Sequence, residues 1–173
     1  MKPESVASTP PNRPAKDDAH IWRSKYFDQS ARCEARLRRI LTEIRPSDAV
    51  PHQFKAVAIA VKHATEANSK DDKLIAVVDE LLPLIELRAY LAHSAMRLMA
   101  LDGDHLVAFA HAGGDQEYGQ KVMLLTTEQR THALKKLTNL AERLKRCLQS
   151  IAARDLTPPS SPPQPKQVAA TGP

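Results

Sequence analysis

Apolar positions recur every three or four residues along most of this chain. Trp22, Tyr26, Cys33, Leu37, Ile40 and Ile44 form one stripe, and Phe54, Val57, Val61 and Ala64 a second. Leu74, Val77, Leu81, Leu84 and Ile85 form a third, and Leu134, Leu137, Ala141, Leu144, Leu148 and Ile151 a fourth. This spacing is that of one buried helical face, so four helices are predicted. The first starts near Asp17 or Asp18, whose charges suit a helix N-terminus. It ends at Arg45-Pro46, because proline restricts the residue before it and cannot continue the ladder. Pro51 fits the first turn of the second helix, which runs to about Ala67. Asp71 or Asp72 caps the third helix, which is expected to end between His93 and Met99. Pro83 interrupts it opposite the apolar stripe, so a kink or a restart is expected there. Thr126 with Gln129 matches a capping box for the fourth helix.

Between the third and fourth helices the pattern changes. Asp102-Gly103-Asp104 is a turn signal, and Ala112-Gly113-Gly114-Asp115 reads as a loop. His105 to Ala110 and Lys121 to Leu125 read as two short strands, hence a β-hairpin. A hairpin needs something to pack on, here the helices. At the start, residues 1–16 hold four prolines and few apolar groups, which predicts a mobile leader. Residues 156–173 are a proline-rich, polyproline-type tail. The folded domain is therefore expected over 17–155. Four helices with short connections make it all-α, an antiparallel four-helix bundle with a short β-hairpin inserted before the last helix.

Composition adds little to the fold and something to the partner. The 173 residues carry a formal charge of +5, which suits an anionic partner such as RNA. Cys33 and Cys147 are the only cysteines, and both lie on apolar stripes, so they read as small core residues. No metal-ligand cysteine spacing, phosphate-cradling glycine loop or cofactor motif is present. Asp102, Asp104, His105 and His111 gather around the hairpin, but turn and strand explain them without a metal. His63 neighbours the second stripe and reads as a surface or core histidine. No signal peptide or membrane span is recognisable, which points to a reducing cytoplasm.

Two groups of polar residues stand out. Arg32, Arg36, Arg38, Arg39 and Arg45 crowd the second half of the first helix. They form either a solvated face that complements the helix C-terminus or a phosphate-binding patch, with Arg36 and Arg39 as its RNA contacts. The second group is Arg88-Ala89-Tyr90-Leu91-Ala92-His93-Ser94. Arg88 falls on the third apolar stripe, where a buried guanidinium needs an anionic partner. His93 follows at an ideal-helix offset of roughly 140°, so the two share a face only if the helix bends or ends. Without further function, Arg88 pairs with Glu86 or a carboxylate on another helix and His93 caps the helix end.

The segment from Leu84 to His93 resembles the R-x4-6-H motif, in its apolar context, of the HEPN domains (higher eukaryotes and prokaryotes nucleotide-binding). The resemblance implies a small helical domain that is a metal-independent endoribonuclease without a cofactor, and a toxin or defence setting with a neutralising partner protein. It also implies a homodimer whose shared site takes one Arg and one His from each protomer, and products ending in a 2′,3′-cyclic phosphate. On this reading Arg88 clamps the phosphate and His93 is the catalytic acid or base, with Tyr90 and Ser94 in reach of RNA. In many members a polar residue follows the arginine, whereas here it is Ala89. A non-catalytic HEPN-like module that binds RNA, nucleotide or protein is therefore the second reading. A bundle that merely displays the proline-rich tail is the third.

Overall fold

A computed structural model describes residues 13–68, 71–101, 104–111 and 122–155. It is mostly helical, with a small antiparallel sheet. Helix α1 spans Arg13–Ile44, α2 Phe54–Asn68, α3 Asp72–Ala92 and α4 Thr127–Asp155; strands β1 (Ser94–Leu101), β2 (Asp104–His111) and β3 (Val122–Leu125) lie between α3 and α4. The leader up to residue 12, the Gly113-Gly114 loop and the tail from 156 lie outside the described residues. Helix α1 packs on α2, α3 and α4, α2 packs on α3, and α3 packs on α4.

The apolar stripes are the core. Trp22, Tyr26, Cys33, Leu37 and Ile40 of α1 are buried with Phe54, Val57, Val61 and Ala64 of α2. Leu74, Val77, Leu81, Leu84 and Ile85 of α3 and Leu137, Ala141 and Leu144 of α4 complete it. The starts of α3 and α4 are closed by side chains. The Asp71 carboxylate accepts from the Leu74 N–H at 3.3 Å, capping α3. Thr126 and Gln129 bond each other's backbone N–H at 2.9 and 3.1 Å, the reciprocal capping box of α4. Thr126→Ala should therefore lower stability by about 1 kcal/mol, read by urea melts.

Three features differ from the sequence expectation. Helix α1 begins at Arg13, one turn before Asp17, and α2 begins at Phe54 rather than at Pro51. Helix α3 runs unbroken through Pro83, which is exposed, so the missing N–H faces solvent and no restart is needed. The third difference is larger. Residues 94–101 are a strand, where the helix end was expected as far as Met99, and the two expected strands belong to a three-stranded antiparallel sheet ordered β1-β2-β3. Pairing wins over local preference here: β1 lies along the whole of β2, Ser94 opposite His111 and Leu101 opposite Asp104. Val107 and Phe109 of the sheet are buried in the core, with Met96, Leu98, Met123 and Leu125 packed against it.

Burial has a measurable consequence. Cys33 is 0% exposed, and burial pushes its thiol from 9.0 up to about 12. Burial raises the Tyr26 hydroxyl as well. Above pH 9 the unfolded chain loses the Cys33 proton while the folded chain keeps it, so stability falls as pH rises from about 9 towards 12. The expected slope from this group is about 1.4 kcal/mol per pH unit, and in urea melts Cys33→Ala should remove that contribution while leaving the one from Tyr26, which begins above its ordinary value of 10.0.

Candidate functional site

The residue that interrupts the α3 stripe is held by aromatic rings. The Arg88 guanidinium carbon stands 5.7 Å from the Phe54 ring centre and 5.9 Å from that of Phe27. A planar cation over aromatic faces is attracted by their quadrupoles. Its Nη2 lies 3.9 Å from Glu34 Oε2, a loose ion pair across to α1. Among the described residues the guanidinium makes no hydrogen bond, and its buried Nε is without a partner. The side chain nevertheless keeps a third of its surface in contact with solvent.

Glu34 is held from the other side. Arg38 donates to its Oε1 through Nε at 3.2 Å and Nη2 at 2.8 Å. Arg38 also donates to the carbonyls of Pro51 and His52, each at 2.7 Å, fastening the α1–α2 connection. One turn before Phe27, Arg23 donates to the Leu91 carbonyl at 2.5 Å and stands 5.7 Å from the Phe27 ring centre. Arg23, Arg38 and Arg88 thus surround two rings and one carboxylate. The cluster carries an excess of two positive charges beside the C-terminal end of α3.

His93 lies at that same end. Its backbone N–H donates to the Tyr90 carbonyl at 3.3 Å, closing α3 as the C-cap, and its side chain is exposed. The chain then turns directly into β1. Tyr90 donates its hydroxyl to the Phe109 carbonyl at 3.1 Å, tying α3 to β2. Ser94 is buried and donates to the Tyr90 carbonyl at 2.7 Å. Both hydroxyls are engaged in holding the helix end, and Tyr90→Phe should cost about 1 kcal/mol of stability in a thermal melt.

No family model matches the chain, and neither does any curated protein or solved structure.

The other residues picked from the sequence lie elsewhere. Arg36 donates to the Ala141 carbonyl and approaches Glu142 at 3.5 Å, so it faces α4. Arg39 stands in solvent, 3.8 Å from Glu43. Neither joins the Arg88 cluster, because residues two and five beyond Glu34 point roughly 200° and 140° away around α1. Asp102 lies outside the described residues, as do the side chains of Asp104, His105 and His111. Among the described residues no group of acids, histidines and cysteines could hold a metal, and no helix is long and apolar enough to cross a membrane.

Arg23, Phe27 and Glu34 were missed from sequence, while Phe54 was read only as a core residue and Arg38 only as part of the basic face of the first helix. The signal was present: Arg23, Phe27, Glu34 and Arg38 recur at offsets of four, seven and four, a second stripe one residue along from the apolar one.

Proposed function

We propose that the chain is a HEPN-like, metal-independent endoribonuclease. Its helices form an antiparallel four-helix bundle, and it works as a homodimer that joins two copies of the Arg88–His93 end. The observation that carries this reading is Arg88 itself. Two phenyl rings and a distant carboxylate orient the guanidinium, while among the described residues it makes no hydrogen bond and part of it meets solvent. Such a fork is ready to hold two oxygens of a phosphodiester.

The chemistry needs no metal. The RNA 2′-hydroxyl gives its proton to an imidazole and attacks the adjacent phosphorus. The bond from phosphorus to the 5′-oxygen breaks, and that oxygen takes a proton from an imidazolium. The products are a 2′,3′-cyclic phosphate and a 5′-hydroxyl. An exposed imidazole serves either transfer. In a dimer one His93 acts as base and the other as acid, while Arg88 offsets the charge that develops on the phosphate. The toxin or defence setting and a neutralising partner protein belong to the same resemblance.

The test is cleavage of single-stranded RNA by the purified chain in excess EDTA, with analysis of the new ends. Cyclic phosphate ends support the proposal; cleavage that requires a divalent metal overturns it. A second reading is favoured by Ala89, which is exposed and has no polar group to offer beside the arginine. On that reading the chain binds RNA, nucleotide or protein without cutting. Salt-sensitive RNA binding that survives His93→Ala, with no cleavage by the wild type, would select it.

A further inference from the structure

A second cation sits apart from the Arg88 cluster, where α1 meets the first turn of α4. A cavity of about 270 Å³ opens there, lined by Ala15, Asp18, Trp22, Thr127, Arg130 and Thr131. Arg130 is 6% exposed. Its Nη2 donates to the Thr127 hydroxyl at 3.0 Å, and among the described residues its buried Nε has no partner. It forms no ion pair among the described residues; Asp18 acts on it only at longer range. Burial without a close counter-charge lowers the pKa of the guanidinium. A buried cation in this state is costly unless an anion meets it.

The surroundings define what the anion can be. The Trp22 indole N–H is committed to the Arg130 carbonyl at 2.7 Å, which leaves its ring as an apolar wall beside Ala15. The capping box of α4 covers the Gln129 N–H. The N–H groups of Thr127 and Glu128, earlier in the same turn, have no intrahelical acceptor and carry the positive end of the helix. Charge sets the limit. One guanidinium neutralises one negative charge, and the exposed Asp18 carboxylate on the rim repels a second.

We propose that this cavity binds a small organic monocarboxylate, its carboxylate on Arg130 and Thr127 and its hydrocarbon part along Trp22 and Ala15. A planar carboxylate matches the guanidinium fork, whereas a dianionic phosphate brings excess negative charge against Asp18. The site is separate from the Arg88 cluster and does not depend on the nuclease reading.

The test is calorimetric titration of the full chain with benzoate, acetate and inorganic phosphate at neutral pH. Benzoate is expected to bind saturably, and phosphate about tenfold or more weakly. Arg130→Met should weaken benzoate by at least about tenfold, and Thr127→Val by severalfold. Asp18→Asn should narrow the gap between phosphate and benzoate. Without ligand, Arg130→Met should melt no lower than the wild type, since it removes a charge that has no close partner, whereas loss of a structural ion pair would lower it. Should Arg130→Met fail to fold, that is itself the structural outcome and counts against the site, and Thr127→Val and Asp18→Asn still read the binding. The proposal is overturned if neither carboxylate binds saturably, if Arg130→Met binds benzoate as the wild type does, or if phosphate binds more tightly than benzoate.

Discussion

His93→Ala should lower RNA cleavage about a hundred- to ten-thousand-fold, the range that a positioned acid–base group supplies. Its melting temperature should stay close to that of the wild type. The imidazole is exposed, and the hydrogen bond that closes α3 comes from the backbone N–H, which alanine keeps. Arg88→Ala should lower cleavage on the order of a hundred- to a thousand-fold, as the loss of one charge-stabilising group does. It also removes two ring contacts, worth about 1 kcal/mol each at partly exposed sites, so the variant should fold with a modestly lower melting point. Arg88→Lys keeps the charge and loses the planar fork. It should recover stability only in part and cleavage hardly at all, because an ammonium cannot take two phosphate oxygens side by side. Rates from an end-labelled RNA assay, set beside circular dichroism melts, separate these outcomes. Full activity in Arg88→Ala would end the nuclease reading.

The positions of the helices were legible because burial follows the 3.6-residue period, and the four stripes named from sequence fall on the buried core, with Ile44, Leu134, Leu148 and Ile151 half-buried against it. The strand at Ser94–Leu101 was not. Ser-Ala-Met-Arg-Leu-Met-Ala-Leu is rich in good helix formers, and its pairing with β2 is a tertiary fact that no local window contains. One clue was available. Asp102-Gly103 is a two-residue hairpin signal, and a hairpin there requires a strand before it as well as after it.

The site was half legible for a related reason. Arg88 stands out because a charge breaks an apolar pattern, and the expectation that it needs an anion leads to Glu34. Which carboxylate it meets depends on how α1 and α3 are rotated against each other, and Glu86, the alternative on its own helix, instead pairs with Lys55 at 2.7 Å. The aromatic support was harder still to foresee. Phe27 and Phe54 come from two helices, and only packing brings both to one guanidinium.

Glu34→Gln is the substitution that separates a structural Arg88 from one that binds phosphate. Glu34 now serves two arginines. It accepts two hydrogen bonds from Arg38, at 3.2 and 2.8 Å, and stands 3.9 Å from Arg88. Glutamine keeps the shape and one acceptor oxygen but removes the charge. The fold should lose about 1–3 kcal/mol, because the short bonds to Arg38 are charge-assisted and the carboxylate is largely buried. Arg88 then has no counter-charge, and its attraction for an anion rises. If Arg88 binds phosphate, a phosphodiester competes with Glu34 in the wild type and meets no competitor in the variant, so RNA should bind up to about tenfold more tightly at low salt, with a steeper salt dependence. A purely structural arginine predicts the opposite pairing: the same loss of stability with RNA affinity unchanged. Fluorescence anisotropy with a short labelled RNA, run as a salt series on wild type, Glu34→Gln and the double variant Glu34→Gln/Arg88→Ala, reads the difference. The gain should vanish in the double variant, since the extra binding depends on the guanidinium that Glu34 no longer restrains.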